Sequence, residues 1–113
     1  MAQYTGKTPF TLPRPLVYKN GVNVETIDAH KTLTYFDSQY QILEDSTASA
    51  TREIILPSPK NGAWFCIRNE SNGGTSNFNV QGVGGATIVA LPKDKSAFIV
   101  CDGTQWHSAV KGD

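Results

Sequence analysis

The sequence predicts an all-β protein: a β-sandwich or jelly roll of about eight short antiparallel strands, preceded by an extended N-terminal arm. Short runs of β-branched and aromatic residues recur every roughly 8–12 residues, with turn-forming residues between them. No apolar pattern keeps a helical period for longer than one turn. Several runs are apolar on both faces, so a single open sheet would leave apolar side chains in water, and we expect two layers.

The length of the chain fits one domain. A chain of 113 residues with 39% hydrophobic residues can bury one core and is too short for two. We therefore expect an extended arm at residues 1–23 and a single β-sandwich domain at residues 24–113.

The arm is predicted from its prolines. Pro9, Pro13 and Pro15 prevent a helix and restrict the residues before them to extended conformations. Ordering the backbone costs roughly 1–2 kcal/mol per residue, which the arm recovers only if its apolar side chains pack on the parent domain or on a neighbouring subunit. A frayed terminus is the other interpretation, although disordered tails are usually poorer in apolar residues. The composition leaves both open.

The first strands follow the arm. Val22, Val24 and Ile27 predict a short strand, and two alternating runs around a polar turn predict a hairpin from Lys31 to Glu44. The small polar residues from Asp45 to Thr51 predict a loop.

The clearest pattern runs from Arg52 to Asn69 and predicts a second hairpin. Its first strand is stopped by Pro57, and Pro59 and Gly62 supply the backbone angles of a turn. The second strand is apolar on both faces and is expected to run through the middle of the structure. Period-two alternation places Ala63, Phe65 and Ile67 on one of its faces, and Trp64, Cys66 and Arg68 on the other.

Turn residues divide the rest of the chain into short strands. A glycine-rich loop is predicted at Glu70 to Ser76, and a tight turn at Asp102-Gly103. The predicted strands are 77–81, 87–91, 97–101 and 104–110, and turns at 82–85 and 92–95 separate the first three. Phe78 and Val80 are expected on one face of the first strand, and Trp106 is expected to face inward from the last.

The charge pattern excludes some partners. Ten Lys and Arg residues balance ten Asp and Glu residues, without a run of either sign, which argues against a nucleic-acid or anionic-membrane surface. No stretch approaches the roughly 20 apolar residues of a membrane span, and the first residues lack the apolar region of a secretory signal. We expect a soluble protein that is made and kept without export.

No motif predicts a metal or a disulfide. His30, His107, Cys66 and Cys101 show none of the paired spacings of metal sites, so no metal ligands are assigned. In a reducing compartment we expect the two cysteines to be free, buried thiols, although both fall in predicted strands.

The sequence also predicts no enzyme. No serine lies in a recognisable nucleophile turn, and the pair Glu44 and Asp45 is typical of solvated turn residues. The glycine-rich loops at 70–76 and 82–85 are not followed by a helix, so they are expected to be β-turns rather than phosphate-binding loops. We assign no catalytic or cofactor-binding residues and expect no cofactor.

Four aromatic residues are candidates for a sugar-binding platform: Tyr35, Tyr40, Trp64 and Trp106. In a small domain such side chains more often belong to the core, because each buries ~150–250 Å². We expect Trp64 in the core and leave the role of Trp106 open.

Three stretches together resemble small virion structural proteins of tailed bacteriophages. They are Lys-Thr-Leu-Thr-Tyr-Phe-Asp-Ser at 31–38, Arg-Glu-Ile-Ile-Leu-Pro at 52–57 with Asn-Gly-Ala-Trp-Phe-Cys-Ile-Arg-Asn at 61–69, and Phe-Ile-Val-Cys-Asp-Gly-Thr-Gln-Trp at 98–106. Members of this group include capsid decoration (cement) proteins and domains of tail fibres. The resemblance covers about residues 31–107 and does not extend to the arm.

The resemblance implies a non-enzymatic capsid decoration protein. Such a protein has a β-sandwich or jelly-roll body at a local symmetry axis and extended termini that cross the capsid shell. The implied partners are the major capsid protein and further copies of the chain, as a dimer or trimer; the implied location is the capsid exterior of the virion, after synthesis in the host cytoplasm. The length of the chain and its proline-rich arm favour the capsid over a fibre. We expect the arm to contact capsid through Phe10, Leu12, Pro13, Arg14, Pro15 and Leu16.

Two alternatives remain. The first is a head-fibre or tail-associated module that binds host-surface glycans through the loops at 70–76 and 82–85. The second is a cellular lectin-like jelly roll, against which the missing metal-binding histidines of cupin-type enzymes argue.

Overall fold

The computed structural model describes residues 21–46, 51–71 and 76–108. Within these ranges the chain forms nine strands and no helix, which confirms the all-β prediction. The strands are β1 Val22–Ile27, β2 Lys31–Thr32, β3 Tyr40–Asp45, β4 Thr51–Ile55, β5 Trp64–Asn69, β6 Asn77–Gln81, β7 Thr87–Leu91, β8 Ser96–Cys101 and β9 Trp106–Ser108.

The strands form two mixed sheets. One sheet has five strands in the order β1-β3-β5-β8-β9, and the other has four in the order β2-β4-β6-β7. In the first, β1, β3 and β5 are parallel to one another, and in the second, β2, β4 and β6 are. The expectation of antiparallel strands throughout was therefore wrong. The chain changes sheet after each of its first five strands, so alternate strands meet side by side and run in the same direction.

The stretch from Arg52 to Asn69 is not a hairpin. Its two strands and its turn are present, but β4 belongs to the four-stranded sheet and β5 to the five-stranded sheet. After the turn, the chain bonds to β8 rather than to β4, since Gly62 N–H donates to the carbonyl of Cys101 and Cys101 N–H donates to that of Ala63. Strand β4 buries Ile54 and β5 buries Phe65 and Ile67, and placing the strands in different sheets lets these side chains share one core.

The predicted hairpin from Lys31 to Glu44 is wrong for the same reason. Strand β2 pairs with β4, whereas β3 lies between β1 and β5 in the other sheet. The polar turn that was predicted between them exists: Asp37 N–H donates to the carbonyl of Thr34 at 3.1 Å. It carries the chain from one sheet to the other instead of joining neighbouring strands.

Two predicted turns do join neighbouring antiparallel strands. Residues 82–85 connect β6 to β7, and Asp102-Gly103 connects β8 to β9. Gly85 and Gly103 have φ angles of 92° and 101°, in the region that favours glycine. The glycine residues of these turns therefore serve backbone geometry, as the sequence predicted.

Both sheets contribute to one apolar core. Phe65 and Ile67 on β5 and Phe78 and Val80 on β6 are at most 1% exposed, which confirms that each pair shares one face of its strand. Strand β5 occupies the middle of its sheet, also as predicted. The core consists of Ile27, Leu33, Leu43, Ile54, Leu56, Phe65, Ile67, Phe78, Val80, Leu91, Ala97, Ile99, Cys101 and Trp106. Each large side chain in it contributes roughly 1.5–3 kcal/mol through removal from water.

Asp45 is not a solvated turn residue. It is the last residue of β3, it points inward, and its side chain is completely buried. Arg52 Nε–H donates to its Oδ2 at 3.0 Å, and its own backbone N–H donates to Ser71 Oγ at 3.0 Å. The prediction that both residues of the pair are solvated was wrong because residues alternate along β3. Glu44 points outward, whereas Asp45 points inward, where its carboxylate forms an ion pair with Arg52.

Asn69 links the two sheets at the same end of the core. It ends β5 and is fully buried. Its Nδ2 donates to the carbonyl of Leu91 on β7 at 2.9 Å and to that of Ser76 at 3.0 Å, and its Oδ1 accepts from Ser71 N–H. A buried amide is retained at this position because all three bonds replace those that it loses to water.

Candidate binding surfaces

An aromatic cluster lies on the outer face of the five-stranded sheet. The ring of Trp64 meets that of Tyr40 edge-on, with centroids 5.4 Å apart, and lies tilted against that of Phe98, also at 5.4 Å. Tyr40 and Phe98 remain 37% and 38% exposed. The expectation that Trp64 belongs to the core was wrong, because its neighbour Phe65 occupies the inward position on β5 and alternation turns Trp64 outward.

Strand β1 extends this surface to the edge of the sheet. Val22 lies opposite Tyr40 and Val24 lies opposite Ile42 in the parallel pairing of β1 with β3. The two valines are 55% and 74% exposed. Together these outward side chains form a surface that we call the apolar outer face: Val22, Val24, Tyr40, Ile42, Trp64, Cys66 and Phe98.

The arm joins the body at the margin of this face. Gly21, which precedes β1, has a φ of 63°, and its carbonyl accepts a hydrogen bond from Ser38 Oγ. The predicted capsid-contact residues, Phe10, Leu12, Pro13, Arg14, Pro15 and Leu16, lie outside the described residues, as does the rest of the predicted arm up to residue 20. Strand β1 begins at Val22, within the last residues assigned to the arm.

Another exposed aromatic side chain, that of Phe36, lies close to this junction. Phe36 is 92% exposed at the tip of the turn between β2 and β3 and lines a shallow polar cavity together with Val22. The turn is ordered by Asp37, whose Oδ2 accepts from both the N–H and the Oγ of Thr34. An ordered turn thus presents a large apolar side chain to solvent.

A pocket lies on the opposite side of the molecule, where the edge strands β7 and β9 approach each other. We call it the edge pocket; its volume is about 340 Å³. It is lined by Pro59, Gly82, Val83, Gly84, Ala86, Ile88, Thr104, Gln105 and Trp106. Trp106 is only 6% exposed, which confirms the predicted inward orientation, and its Nε1–H donates to the carbonyl of Pro57 at 3.1 Å.

A β-bulge shapes this pocket. Val80 pairs with Val89 and Gln81 pairs with Thr87, so Ile88 is an extra residue on β7. A bulged residue leaves the ladder and its side chain is redirected. Ile88 packs against the core and lines the edge pocket, which makes this wall of the pocket apolar.

Polar groups occupy the other side, between the edge strands β1 and β2. Lys31 Nζ and Asn23 Nδ2 both donate to Glu25 Oε1, at 2.8 Å and 2.9 Å. Asn23 also donates to Oε1 of the buried Gln41 at 2.8 Å. The hydrogen bond from Lys31 is the main reason that the pKa of Glu25 lies below its ordinary value, followed by that from Asn23. This network bridges the two sheets and lines the shallow polar cavity between their edges.

The two histidines lie in different parts of the structure, and each has its own hydrogen-bond partner. Nδ1 of His30 accepts from the backbone N–H of Glu53, and Nε2 of His107 lies 2.9 Å from Oδ2 of Asp102. Asp102 accepts further bonds from the N–H groups of Gln105 and Thr104. The bond from Gln105 is the largest cause of a strongly lowered pKa of Asp102, ahead of those from His107 and Thr104. The interaction thus belongs to the turn between β8 and β9.

The two cysteines are free thiols on opposite faces of the same sheet. Cys101 points into the core and Cys66 points outward, where it is half-buried. Burial raises the pKa of the Cys66 thiol. Among the residues that the structure describes, no group of three or more His, Cys, Asp and Glu side chains could hold a metal ion.

The four aromatic residues that were candidates for a sugar-binding platform do not form one surface. Tyr40 and Trp64 share the outer cluster, Trp106 is part of the core, and Tyr35 donates through its hydroxyl to the carbonyl of Ser58. The glycine-rich loop at 70–76 is described only at its ends, whereas the turn at 82–85 lines the edge pocket. Val22, Val24, Phe36 and Ile88 were not predicted as surface or pocket residues.

No family model, curated protein or solved structure matches this chain. The described residues contain strands and no helix, and therefore no candidate for a membrane-spanning helix.

Proposed function

We propose that this protein is a non-enzymatic capsid decoration protein that binds the outside of a phage head and clamps neighbouring capsid subunits. The observation that carries the proposal is the concentration of exposed apolar side chains around the point where the arm joins the body. Six of the seven exposed large apolar side chains in the described ranges lie on the five-stranded sheet or on the turn beside it: Val22, Val24, Tyr35, Phe36, Tyr40 and Phe98. Exposed apolar patches of this kind are typical of interaction sites.

The body and the arm have separate roles in this proposal. The two mixed sheets form the sandwich-like body, and the hydrogen bond from Ser38 to Gly21 holds the point where the arm meets the body at the margin of the apolar outer face. The arm then lies across capsid protein through Phe10, Leu12, Pro13, Arg14, Pro15 and Leu16. A clamp that binds the assembled head and not its dissociated subunits stabilises the head by mass action. No chemical step is required.

Deletion of residues 1–16 tests the role of the arm. The variant that lacks residues 1–16 should keep the far-ultraviolet circular-dichroism spectrum and the cooperative unfolding of the full chain, because the described strands begin at Val22. It should no longer sediment with phage heads assembled without this protein. A folded deletion variant that decorates heads at full occupancy would refute the clamp.

A matched pair of substitutions tests the surface beside the arm. Phe36→Ser should weaken head binding at least about tenfold, as for a central contact residue. Val83→Ser removes another exposed apolar side chain, on the turn between β6 and β7, and should leave head binding unchanged. Equal effects of both substitutions would show that the effect is not specific to the surface near the arm.

The edge pocket supports a second candidate function, a host-surface glycan-binding module of a head fibre or tail. Its volume of about 340 Å³ falls at the lower end of the range of small-molecule sites. The apolar walls at Ile88 and Trp106 suit the carbon face of a sugar, while exposed Thr104 and Gln105 offer polar groups beside them.

A glycan array separates the two functions. A capsid clamp should bind heads and no glycan, whereas a glycan-binding module should select a sugar and lose it in the variant Ile88→Arg, which fills the pocket. Val24→Ser, on the distant outer face, serves as the control. Glycan binding that survives Ile88→Arg would place the site elsewhere and remove the support that the pocket gives.

A further inference from the structure

We propose that the free edge of β1 is the surface through which two copies of this protein pair, in an antiparallel arrangement about a two-fold axis. Among the strands that the structure describes, β1 is the end strand of the five-stranded sheet and pairs with β3 alone. Its other side leaves a row of backbone groups that can extend the sheet by one more strand.

The four edge strands of the two sheets differ in how well they are protected. Strand β2 has two residues and β9 has three, and β7 contains the bulge at Ile88. Short edges and bulges are common means by which proteins prevent edge-to-edge pairing. Strand β1 has six regular residues, without Lys or Pro, and its outward side chains Val22 and Val24 are strongly exposed.

Glu25 does not block this edge. An inward-pointing charge can protect an edge strand, but the Glu25 carboxylate is bound by Lys31 and Asn23 within its own subunit. Its charge is therefore balanced before a second copy arrives.

The side chains of β1 select the register. A continuous sheet must keep outward residues opposite outward residues, which excludes odd shifts of one copy against the other. Centring the axis on Glu25 would place the two Glu25 side chains opposite each other, and centring it on Thr26 would pair only residues 25–27 of each strand. Centring it on Val24 places the two Val24 side chains opposite each other and Asn23 opposite Glu25 of the partner subunit, so no like charges meet.

This register also fixes where the arms begin. Val22 lies opposite Thr26 of the partner subunit. Gly21, where the arm meets the body of each copy, therefore lies beside the C-terminal end of β1 in the other copy. The two arms then start at opposite ends of the pair. The pairing is independent of head binding and would hold for the isolated protein.

The experiment is sedimentation equilibrium of the full chain. The wild-type protein should be a dimer at about 100 μM. Val24→Lys places two ammonium groups opposite each other and should raise the dimer dissociation constant at least about tenfold. Thr26→Lys adds the same charge to the same face, but it faces Val22 of the partner subunit and should leave the dimer largely intact.

Mixing charge variants tests the register directly. Val24→Lys and Val24→Glu should each be monomeric, and their equimolar mixture should form a heterodimer, because opposite charges then meet on the axis. A circular-dichroism spectrum like that of wild type shows that each variant is folded. A monomeric wild-type protein, including one whose own arm covers the edge of β1, would overturn the proposal. So would a dimer that Val24→Lys leaves unchanged, or an equimolar mixture of the two variants that stays monomeric.

Discussion

The side chain of Asp45 is completely buried, and Nε of Arg52 lies 3.0 Å from its Oδ2. The two residues come from different sheets, since Asp45 ends β3 and Arg52 lies in β4. Their ion pair therefore connects the two sheets. Removing one partner of a buried pair leaves the other charge without compensation, which is far more costly than losing an exposed pair.

Arg52→Met should lower the free energy of unfolding by about 3 kcal/mol, because the Asp45 carboxylate stays buried without its cation. Urea denaturation followed by fluorescence measures this change. Arg68→Met is the matched control: Arg68 also donates through Nε to a carboxylate, that of Glu70 at 2.6 Å, but both side chains are exposed. A much smaller effect is expected there. Similar losses in the two variants would contradict the buried role of Asp45.

Asp102 should make the protein lose stability in acid. Its pKa is lowered in the folded state, mainly by the hydrogen bond from Gln105 N–H and then by those from His107 and Thr104. A lowered folded-state pKa stabilises the protein above the ordinary carboxyl value of 3.8, and the stabilisation is lost as the pH falls below that value.

The measurement is urea denaturation of wild type and Asp102→Asn at neutral pH and at about pH 3. The wild-type protein should be the more stable at neutral pH, and the difference between the two should shrink in acid. Asp28→Asn removes an exposed carboxylate from the loop between β1 and β2 and controls for the general change in charge. A constant difference between wild type and Asp102→Asn across the two pH values would refute the linkage.

Local patterns in the sequence predicted the faces of individual strands correctly. The face shared by Phe65 and Ile67 and the face shared by Phe78 and Val80 follow from the period of two of any strand, whatever its partners. The turn at Asp102-Gly103 was also predictable, because few dipeptides adopt its backbone angles. These features depend on residues that are adjacent in the chain.

The partners of the strands could not be predicted in this way. Pro59 and Gly62 indicate that the chain reverses, but not whether it returns within one sheet or crosses to the other. The choice depends on β8 and β6, which lie later in the chain and provide the neighbours of β5 and β4. The parallel pairing and the burial of Asp45 both follow from that non-local choice.

The candidate surfaces were predicted only in part. The strand that contains Val22 and Val24 was expected, but their exposure depends on the absence of a described strand beside β1. Ile88 reaches the edge pocket through a bulge that is defined by its register with Val80, which the sequence of β7 alone does not contain. The capsid contacts of Phe10 and Leu16 stay predictions.

The two tryptophans should differ sharply in their contribution to stability. Trp106 is 6% exposed, packs against Phe65 with ring centroids 5.9 Å apart, and donates a hydrogen bond to Pro57. Trp106→Ala should therefore cost about 3–5 kcal/mol, the usual range for a buried large aromatic side chain. Trp64→Ala removes a half-buried side chain on the outer face and should cost less. Denaturation of both variants, followed by circular dichroism, tests this order, and a greater loss for Trp64→Ala would contradict the assignment of the core.

Gly103 should not tolerate a side chain. Its φ of 101° is one that residues with a Cβ rarely adopt, and an added Cβ would lie 3.2 Å from Cβ of Asn61. Gly103→Ala should therefore lower the free energy of unfolding by more than about 1 kcal/mol, since the strain outweighs the loss of chain entropy in the unfolded state. Gly84→Ala is the control, because a Cβ there meets nothing within 4 Å and the backbone angle is ordinary. Denaturation of the two variants should separate them, and equal stability would mean that the turn between β8 and β9 does not require glycine.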